Sequence, residues 1–126
     1  TSQKIKAFKL EKYFSTPGIL LTEPIGYIET IALTSTAKLV VTDSGGLQEE
    51  STYLKVPCLT MRENTERPVT ETEGTNTIIG TDTGLLLRKF REIMTGKYKK
   101  GRLPTYWDGN TAKRITKILQ RKLLQG

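Results

Sequence analysis

The most constraining feature of this sequence is a short apolar run that ends in two glycines and continues as a helical segment. Residues 38–42 read Lys-Leu-Val-Val-Thr, which is β-branched and apolar, as in an interior parallel strand. Asp43-Ser44-Gly45-Gly46 follows directly, and residues 47–54 have helical character. A buried strand that turns straight into a helix predicts an α/β fold with a parallel sheet.

The rest of the chain continues this alternation of strands and helices. Polar residues 62–76 lack clear periodicity and are interpreted as a functional loop or a short helical turn. The 126 residues fit one domain. We therefore expect one Rossmann-like domain over residues 1–126, with flanking helices and about four strands. Strands are further predicted at 18–22, 56–61 and 77–80, and helices at 4–14, 27–36, from Asp82 to about Met94, and after 108–110.

Two residue types are scarce enough to exclude whole classes of chemistry. The chain has no His, which excludes a Ser-His-Asp or Cys-His mechanism on this chain alone and any His-ligated metal site. Its one cysteine, Cys58, cannot form an internal disulfide, and we expect a buried core thiol. This cysteine usage indicates a cytoplasmic protein. No apolar run approaches the ~20 residues that span a bilayer, so no membrane partner is expected.

The net charge of +7 is concentrated at the two ends of the chain. Nucleic-acid binding is one interpretation of such a charge. The C-terminal bases, however, lie at helical spacing on a polar face, and no aromatic residues alternate with them. This pattern favours solvated helix faces and no nucleic-acid partner.

The turn at Ser44, Gly45 and Gly46 is suited to an anion. It lies at the carboxyl end of a predicted strand, where parallel sheets bind ligands, and it opens a helix whose first N–H groups have no partners. The glycines would let an anion approach the backbone. An ordinary strand-to-helix turn is the alternative. Walker A and Gly-x-Gly-x-x-Gly patterns are absent, so no dinucleotide cofactor is indicated.

Charged side chains surround this turn in the sequence. Glu50 lies one turn further along the helix, where its carboxylate could accept both hydroxyls of a ribose. Glu49 points about 100° away and is interpreted as a solvated charge. Arg62 and Arg67 bracket a loop after the next strand and are suited to phosphate. For Glu50 the alternative is a surface acid, and for the arginines it is an ion pair with Glu66.

Five segments together resemble the C-terminal domain of non-hydrolysing UDP-N-acetylglucosamine 2-epimerases, over roughly residues 18–119. They are Thr-Asp-Ser-Gly-Gly-Leu-Gln-Glu-Glu at 42–50, Val-Pro-Cys-Leu-Thr-Met-Arg at 56–62, Thr-Glu-Arg-Pro at 65–68, Gly-Thr-Asn at 74–76 and Trp-Asp-Gly at 107–109. The resemblance implies one half of a two-domain GT-B enzyme, and a chain that begins inside a longer protein.

The resemblance also implies roles for individual residues. Ser44, Gly45 and Gly46 match the family positions that hold the UDP diphosphate. Glu50 matches the position that binds the ribose hydroxyls. Arg67 matches an arginine at the nucleotide site, and Ile25 matches the position near the uracil. Two positions depart from the family pattern. Thr30 replaces an aromatic residue often found beside the base, and Val69 replaces a glutamate.

The implied reaction interconverts UDP-GlcNAc and UDP-ManNAc, by eliminating UDP and adding it back, without metal or nicotinamide, in polysaccharide biosynthesis. The family's proton-transfer residues lie in the N-terminal domain, so this chain alone is expected to be inactive, with an electrostatic role for Arg67. A homodimer of the full-length enzyme is compatible with the resemblance. The alternative is a GT-B glycosyltransferase that grips its nucleotide in the same way.

Overall fold

The structure, a computed structural model, describes residues 2–124. It divides into two compact units, Thr1–Thr30 and Ile31–Gly126. The division falls within one helix, α3, which runs from Tyr27 to Thr36 as the sequence predicts.

The first unit carries two short helices where one was predicted. They are α1 (Ser2–Ala7) and α2 (Glu11–Phe14). Lys9 between them has a φ of 53°, a left-handed conformation that ends a right-handed helix. The prediction of a single helix over residues 4–14 is therefore wrong.

The predicted buried strand at residues 18–22 is also wrong. This segment forms no strand, and Leu20 is 85% exposed. Gly18, which precedes the apolar residues, has a φ of 91°, far from an extended conformation. An apolar run becomes a strand only where a neighbouring strand supplies ladder hydrogen bonds, and in the described chain this run has none.

The second unit contains a parallel sheet with flanking helices, which confirms the predicted fold class. The strand order is β1-β2-β3, and the register places Val41 beside Leu59 and Leu59 beside Thr77. The described residues form three strands, one fewer than expected. The elements are β1 (Val40–Thr42), α4 (Gly45–Leu54), β2 (Cys58–Thr60), α5 (Pro68–Thr72), β3 (Asn76–Ile78), α6 (Thr83–Met94) and α7 (Thr111–Leu124).

The central strand β2 is fully buried and organises the core. Leu59 packs in an apolar cluster with Ile79 and Tyr98, and Leu39, Leu85, Leu86 and Ile93 cover it. Cys58 is 0% exposed, as predicted, and burial raises the pKa of its thiol. Because β2 is buried and pairs with both β1 and β3, it fixes the ends of the three strands relative to one another.

The ends of the last two helices follow their sequence signals. Asp82 caps α6 by accepting a hydrogen bond from the Leu85 N–H at 2.9 Å, as predicted. Before α7, both carboxylate oxygens of Asp108 accept from Arg114 at 2.9 Å, and Asp108 also accepts from the Asn110 N–H. The Trp-Asp-Gly segment thus fixes where α7 begins.

Candidate functional site

The two segments predicted to bind phosphate, the turn at residues 43–46 and the arginine loop after the next strand, start at one edge of the sheet. Since the strands are parallel, Thr42, Thr60 and Ile78 all end at the same edge. From that edge start helix α4, the loop at residues 61–67 and the loop at residues 79–82. This is the edge at which open α/β sheets bind ligands.

The first turn of α4 presents free donors at this edge. Ser44 is the N-cap, and its Oγ accepts from the Leu47 N–H at 3.5 Å. The N–H groups of Gly45 and Gly46 donate to no group within the described chain. Two backbone donors and the Ser44 hydroxyl hydrogen therefore lie at the positive end of the helix dipole.

The space above these two glycines is open. A Cβ built on Gly45 would meet no heavy atom within 4 Å, and one built on Gly46 would meet only Ser44 Oγ at 3.8 Å. Neither glycine is required by packing within the described chain. Two glycines beside unpartnered N–H groups are suited to a close approach by a ligand.

Arg67 lies against α4 through an ion pair. Its Nε is 3.1 Å from Glu49 Oε1, and the two side chains are 42% and 40% exposed. Glu49, interpreted from the sequence as a solvated charge, is partly exposed but is also paired with Arg67 of the 61–67 loop, a contact that the sequence did not predict. Arg62 pairs with Glu66 at 3.8 Å, so the surface ion pair considered for the arginines is observed for Arg62 and not for Arg67.

The two remaining predicted residues differ in their surroundings. Glu50 is half-buried and forms no hydrogen bond or ion pair with any described residue. Its carboxylate therefore remains available to a ligand. Ile25 lies in the first unit, in the segment before α3, with 45% of its surface exposed. The helix α4 thus carries Ser44 as its cap, both glycines and Glu50, and it meets Arg67 through Glu49.

A buried polar network behind Arg67 was not anticipated from the sequence. Thr65 donates its hydroxyl hydrogen to Gln48 Oε1 at 2.6 Å, and Asn76 Nδ2 donates to the same oxygen at 3.2 Å. Asn76 also accepts from Thr60 at 2.6 Å and donates to the Thr70 hydroxyl at 3.1 Å. The sequence indicates this network only through the polar residues Thr60 and Asn76, which occur within short strands.

A shallow cavity of about 420 Å³ lies beside the candidate site, at the end of β3. Gly80 adopts a φ of 54°, and a Cβ there would lie 2.7 Å from Glu63 Oε1. The cavity is lined by Glu63, Ile78, Ile79, Gly80, Thr81, Asp82 and Leu85. The described residues contain no group of three His, Cys, Asp or Glu side chains placed to hold a metal ion.

A parallel sheet with an open, donor-rich helix start at its carboxyl edge defines a Rossmann-like α/β protein with an anion-suited site. The sequence pattern of the family described as UDP-N-acetylglucosamine 2-epimerase matches residues 1–120, and the chain belongs to that family.

Relatives agree with this assignment in sequence and in structure. The UDP-N-acetylglucosamine 2-epimerase of Methanocaldococcus jannaschii is 42% identical over 120 residues, which are 94% of this chain and 32% of that protein. A crystal structure of the M. jannaschii enzyme in complex with UDP-GlcNAc and UDP superimposes with a TM-score of 0.81 at 37% identity, over 96% of this chain and 33% of that one. The chain therefore spans about a third of the length of these relatives.

More distant relatives extend the family beyond one organism and one sugar. The UDP-N-acetylglucosamine 2-epimerase of Salmonella typhimurium is 36% identical over 107 residues, 82% of this chain and 28% of that protein. A Pseudomonas aeruginosa relative, 33% identical over 103 residues (82% of this chain and 29% of that protein), is a UDP-2,3-diacetamido-2,3-dideoxy-D-glucuronate 2-epimerase. Both names contain UDP, whereas the sugar differs.

No helix among residues 2–124 is long and apolar enough to cross a membrane.

Proposed function

We propose that the start of α4 binds the diphosphate of UDP. The observation that carries this proposal is the pair of unpartnered N–H groups on Gly45 and Gly46 beneath open space. A diphosphate there would accept from both N–H groups and from the Ser44 hydroxyl, and would lie in the positive end of the helix dipole. The relative crystallised with UDP-GlcNAc and UDP supports the choice of nucleotide.

The other predicted residues are assigned to the rest of the nucleotide. Glu50, one turn beyond the glycines and without a partner in the described chain, accepts hydrogen bonds from the ribose hydroxyls. Arg67 lies beside the same helix and contributes positive charge to the diphosphate. Ile25 contacts the uracil, an assignment that rests on the family resemblance alone.

We further propose that the full-length protein is a UDP-GlcNAc 2-epimerase of the two-domain GT-B type. In this reaction a base removes the C2 proton as the C1–O bond breaks and UDP leaves. UDP then adds back to C1 while an acid delivers a proton to C2 from the opposite face, which inverts C2. Negative charge develops on the leaving diphosphate, and Arg67 and the N–H groups of Gly45 and Gly46 stabilise it. Proton transfer belongs to residues outside this chain, which has no His and whose Glu49 is held by Arg67.

The sugar is a separate question from the nucleotide. GlcNAc is favoured because relatives from M. jannaschii and Methanococcus maripaludis, 42% and 39% identical to this chain, are named for it. The diacetamido-glucuronate named for the P. aeruginosa relative is the second candidate. The residues discussed here contact the UDP part, so they do not discriminate between these sugars.

Incubation of the full-length gene product with UDP-GlcNAc tests this function. NMR is expected to show UDP-ManNAc accumulating to a constant ratio without metal or nicotinamide. Conversion of only the diacetamido-glucuronate would move the assignment to the second sugar. A glycoside formed only when an acceptor is present would favour a GT-B glycosyltransferase. Absence of UDP binding in calorimetry would refute the nucleotide site itself.

A further inference from the structure

The main chain of Arg67 is held on both sides by threonine hydroxyls. Thr65 Oγ1 accepts from the Arg67 N–H at 2.9 Å, and Thr70 donates its hydroxyl hydrogen to the Arg67 carbonyl oxygen at 2.7 Å. Arg67 itself has φ −123° and ψ 57°, a conformation that belongs to neither helix nor strand. Arg67 is also the N-cap of α5, and its carbonyl oxygen accepts from the Thr70 N–H at 3.0 Å. The two threonine hydroxyls therefore add to the start of α5 in fixing the Arg67 backbone.

Both hydroxyls are anchored on buried amides from other elements. Thr65 donates to Gln48 of α4 at 2.6 Å, and the Thr70 hydroxyl accepts from Asn76 of β3 at 3.1 Å. Gln48, Asn76 and Thr70 are each 0% exposed. The Asn76–Thr70 hydrogen bond is buried and the Thr65–Gln48 bond is part-buried. Such bonds have few alternative arrangements, since breaking one leaves a buried amide group unsatisfied.

The network also fixes the arginine relative to the start of α4. Gln48 lies in the same helical turn as Glu49, whose carboxylate meets the Arg67 side chain. The loop is thus tied to α4 twice, by Thr65 to Gln48 and by Arg67 to Glu49. The Thr65–Gln48 contact is part-buried and acts on the loop backbone, whereas the Arg67–Glu49 contact is more exposed and acts on the guanidinium.

We propose that Thr65 and Thr70 are positioning residues, which hold Arg67 where its guanidinium meets the diphosphate of the nucleotide. This inference rests on the proposed function, because it takes the ligand at the α4 start to be a nucleoside diphosphate. It predicts that loss of either hydroxyl weakens binding of the diphosphate and leaves binding of the nucleoside unchanged. A purely structural role would weaken both.

The test compares UDP with uridine on the full-length gene product. Thr65→Val removes the hydroxyl at nearly constant volume and is expected to raise the Kd for UDP about tenfold, the equivalent of one lost hydrogen bond. The Kd for uridine, measured by ligand-observed NMR, is expected to change by less than about twofold. Thr65→Ser keeps the hydroxyl and is expected to restore wild-type UDP affinity.

Three further variants make the result decisive. In an Arg67→Ala background, Thr65→Val is expected to cause no further loss of UDP affinity, since the residue that it positions is gone. Thr70→Val removes the second hydroxyl and carries the same expectation if Thr65→Val does not fold. Thr72→Val is the matched control, because the exposed Thr72 hydroxyl in α5 contacts only the Pro68 carbonyl oxygen, at 3.2 Å.

The outcomes separate this inference from the proposed function. If wild-type protein binds UDP but Thr65→Val and Thr70→Val bind it equally well, the positioning role is refuted. Equal loss of UDP and uridine affinity would also refute it. Failure of the wild-type protein to bind UDP would instead overturn the proposed function, and with it the ligand assigned to Arg67.

Discussion

At the scale of single residues, the candidate site is defined mainly by backbone N–H groups that have no hydrogen-bond partner within the described chain. Gly45 and Gly46 keep unpartnered N–H groups within the described chain, and the space beyond Gly45 contains no heavy atom within 4 Å. Some other glycines, such as Gly74 and Gly101, have a packing reason. A Cβ on Gly74 would lie 2.5 Å from the Thr70 carbonyl oxygen, for example. Packing within the described chain thus gives no reason for a glycine at position 45, which agrees with the diphosphate proposed to bind there.

Gly45→Ala should therefore separate binding from stability. Because the added methyl group meets open space in a helical first turn, we expect an unchanged or slightly higher Tm. The same methyl group would occupy the path of the diphosphate, so calorimetry should show UDP affinity falling at least about tenfold. Gly84→Ala, in the first turn of α6, is the control and should leave UDP affinity unchanged. Wild-type UDP affinity in Gly45→Ala would argue against a diphosphate at this turn.

The two neighbouring glutamates of α4 should respond differently to substitution. Glu50→Ala is expected to weaken UDP binding more than Glu49→Ala, because Glu50 is assigned to the ribose and Glu49 contacts Arg67. Measuring the affinity of each variant for 2′-deoxy-UDP, which lacks one of the two ribose hydroxyls, tests the Glu50 assignment more directly. Wild-type protein and Glu49→Ala should prefer UDP over the deoxy ligand, whereas Glu50→Ala should lose most of this preference. Equal losses of UDP affinity in the two variants would contradict the assignment of Glu50.

At the scale of elements, the irregular segment after α6 is tied to the sheet by one side chain. The Tyr98 hydroxyl donates to the Thr75 carbonyl oxygen at 2.9 Å, lies 3.3 Å from the Cys58 carbonyl oxygen and meets Thr77 Oγ1 at 2.6 Å. Its ring belongs to the apolar core with Leu59. This tyrosine therefore fixes residues 97–101 beneath β2 and β3 although the segment has no secondary structure.

Loss of the Tyr98 hydroxyl should destabilise the fold, and its burial should make the stability of the wild-type protein depend on pH in the alkaline range. Tyr98→Phe is expected to reduce the free energy of unfolding at pH 7 by about 1–3 kcal/mol, since it leaves buried partners unsatisfied. Burial raises the pKa of Tyr98 from 10.0 to about 12. The unfolded tyrosine thus ionises first, and stability present below pH 10 is lost as the pH rises towards 12.

Denaturant unfolding between pH 7 and pH 12 measures both effects. The wild-type protein should lose stability with a steeper slope above pH 10 than Tyr98→Phe, in which this titrating group is absent. Tyr53→Phe is the control, because Tyr53 is 60% exposed. Identical alkaline slopes in wild type and Tyr98→Phe would show that the Tyr98 hydroxyl does not titrate differently in the folded state.

Elements were predictable from sequence where local signals and tertiary packing agree. The strand before Ser44, the Asp82 cap and the amphipathic α7 all follow from spacing and capping. The strand predicted at residues 18–22 was wrong because apolar composition alone cannot show whether a neighbouring strand exists to pair with this segment. The Glu49–Arg67 contact was not predicted for a related reason. The position of the 61–67 loop against α4 depends on contacts between residues far apart in sequence, such as Thr65 and Gln48.

At the scale of the whole molecule, large apolar side chains remain exposed on α7. Four of them lie at helical spacing: Ile115 is 51% exposed, Ile118 57%, Leu119 56% and Leu123 80%. An apolar stripe of this kind is normally covered by protein. The relatives are about three times as long as this chain, so about two thirds of their length has no counterpart in these 126 residues.

These observations predict how the 126-residue chain behaves when it is made alone. It is expected to bind UDP weakly at most and to form no UDP-ManNAc from UDP-GlcNAc. It lacks His, it spans about a third of the length of its relatives, and Glu49 and Glu50 are assigned to Arg67 and the ribose, so proton transfer at C2 is expected to need residues outside these 126. NMR of the reaction mixture measures turnover, with the full-length gene product as the positive control and circular dichroism as the check on folding. Turnover by the folded 126-residue chain would place the acid and base within these residues and would overturn the division of labour proposed here.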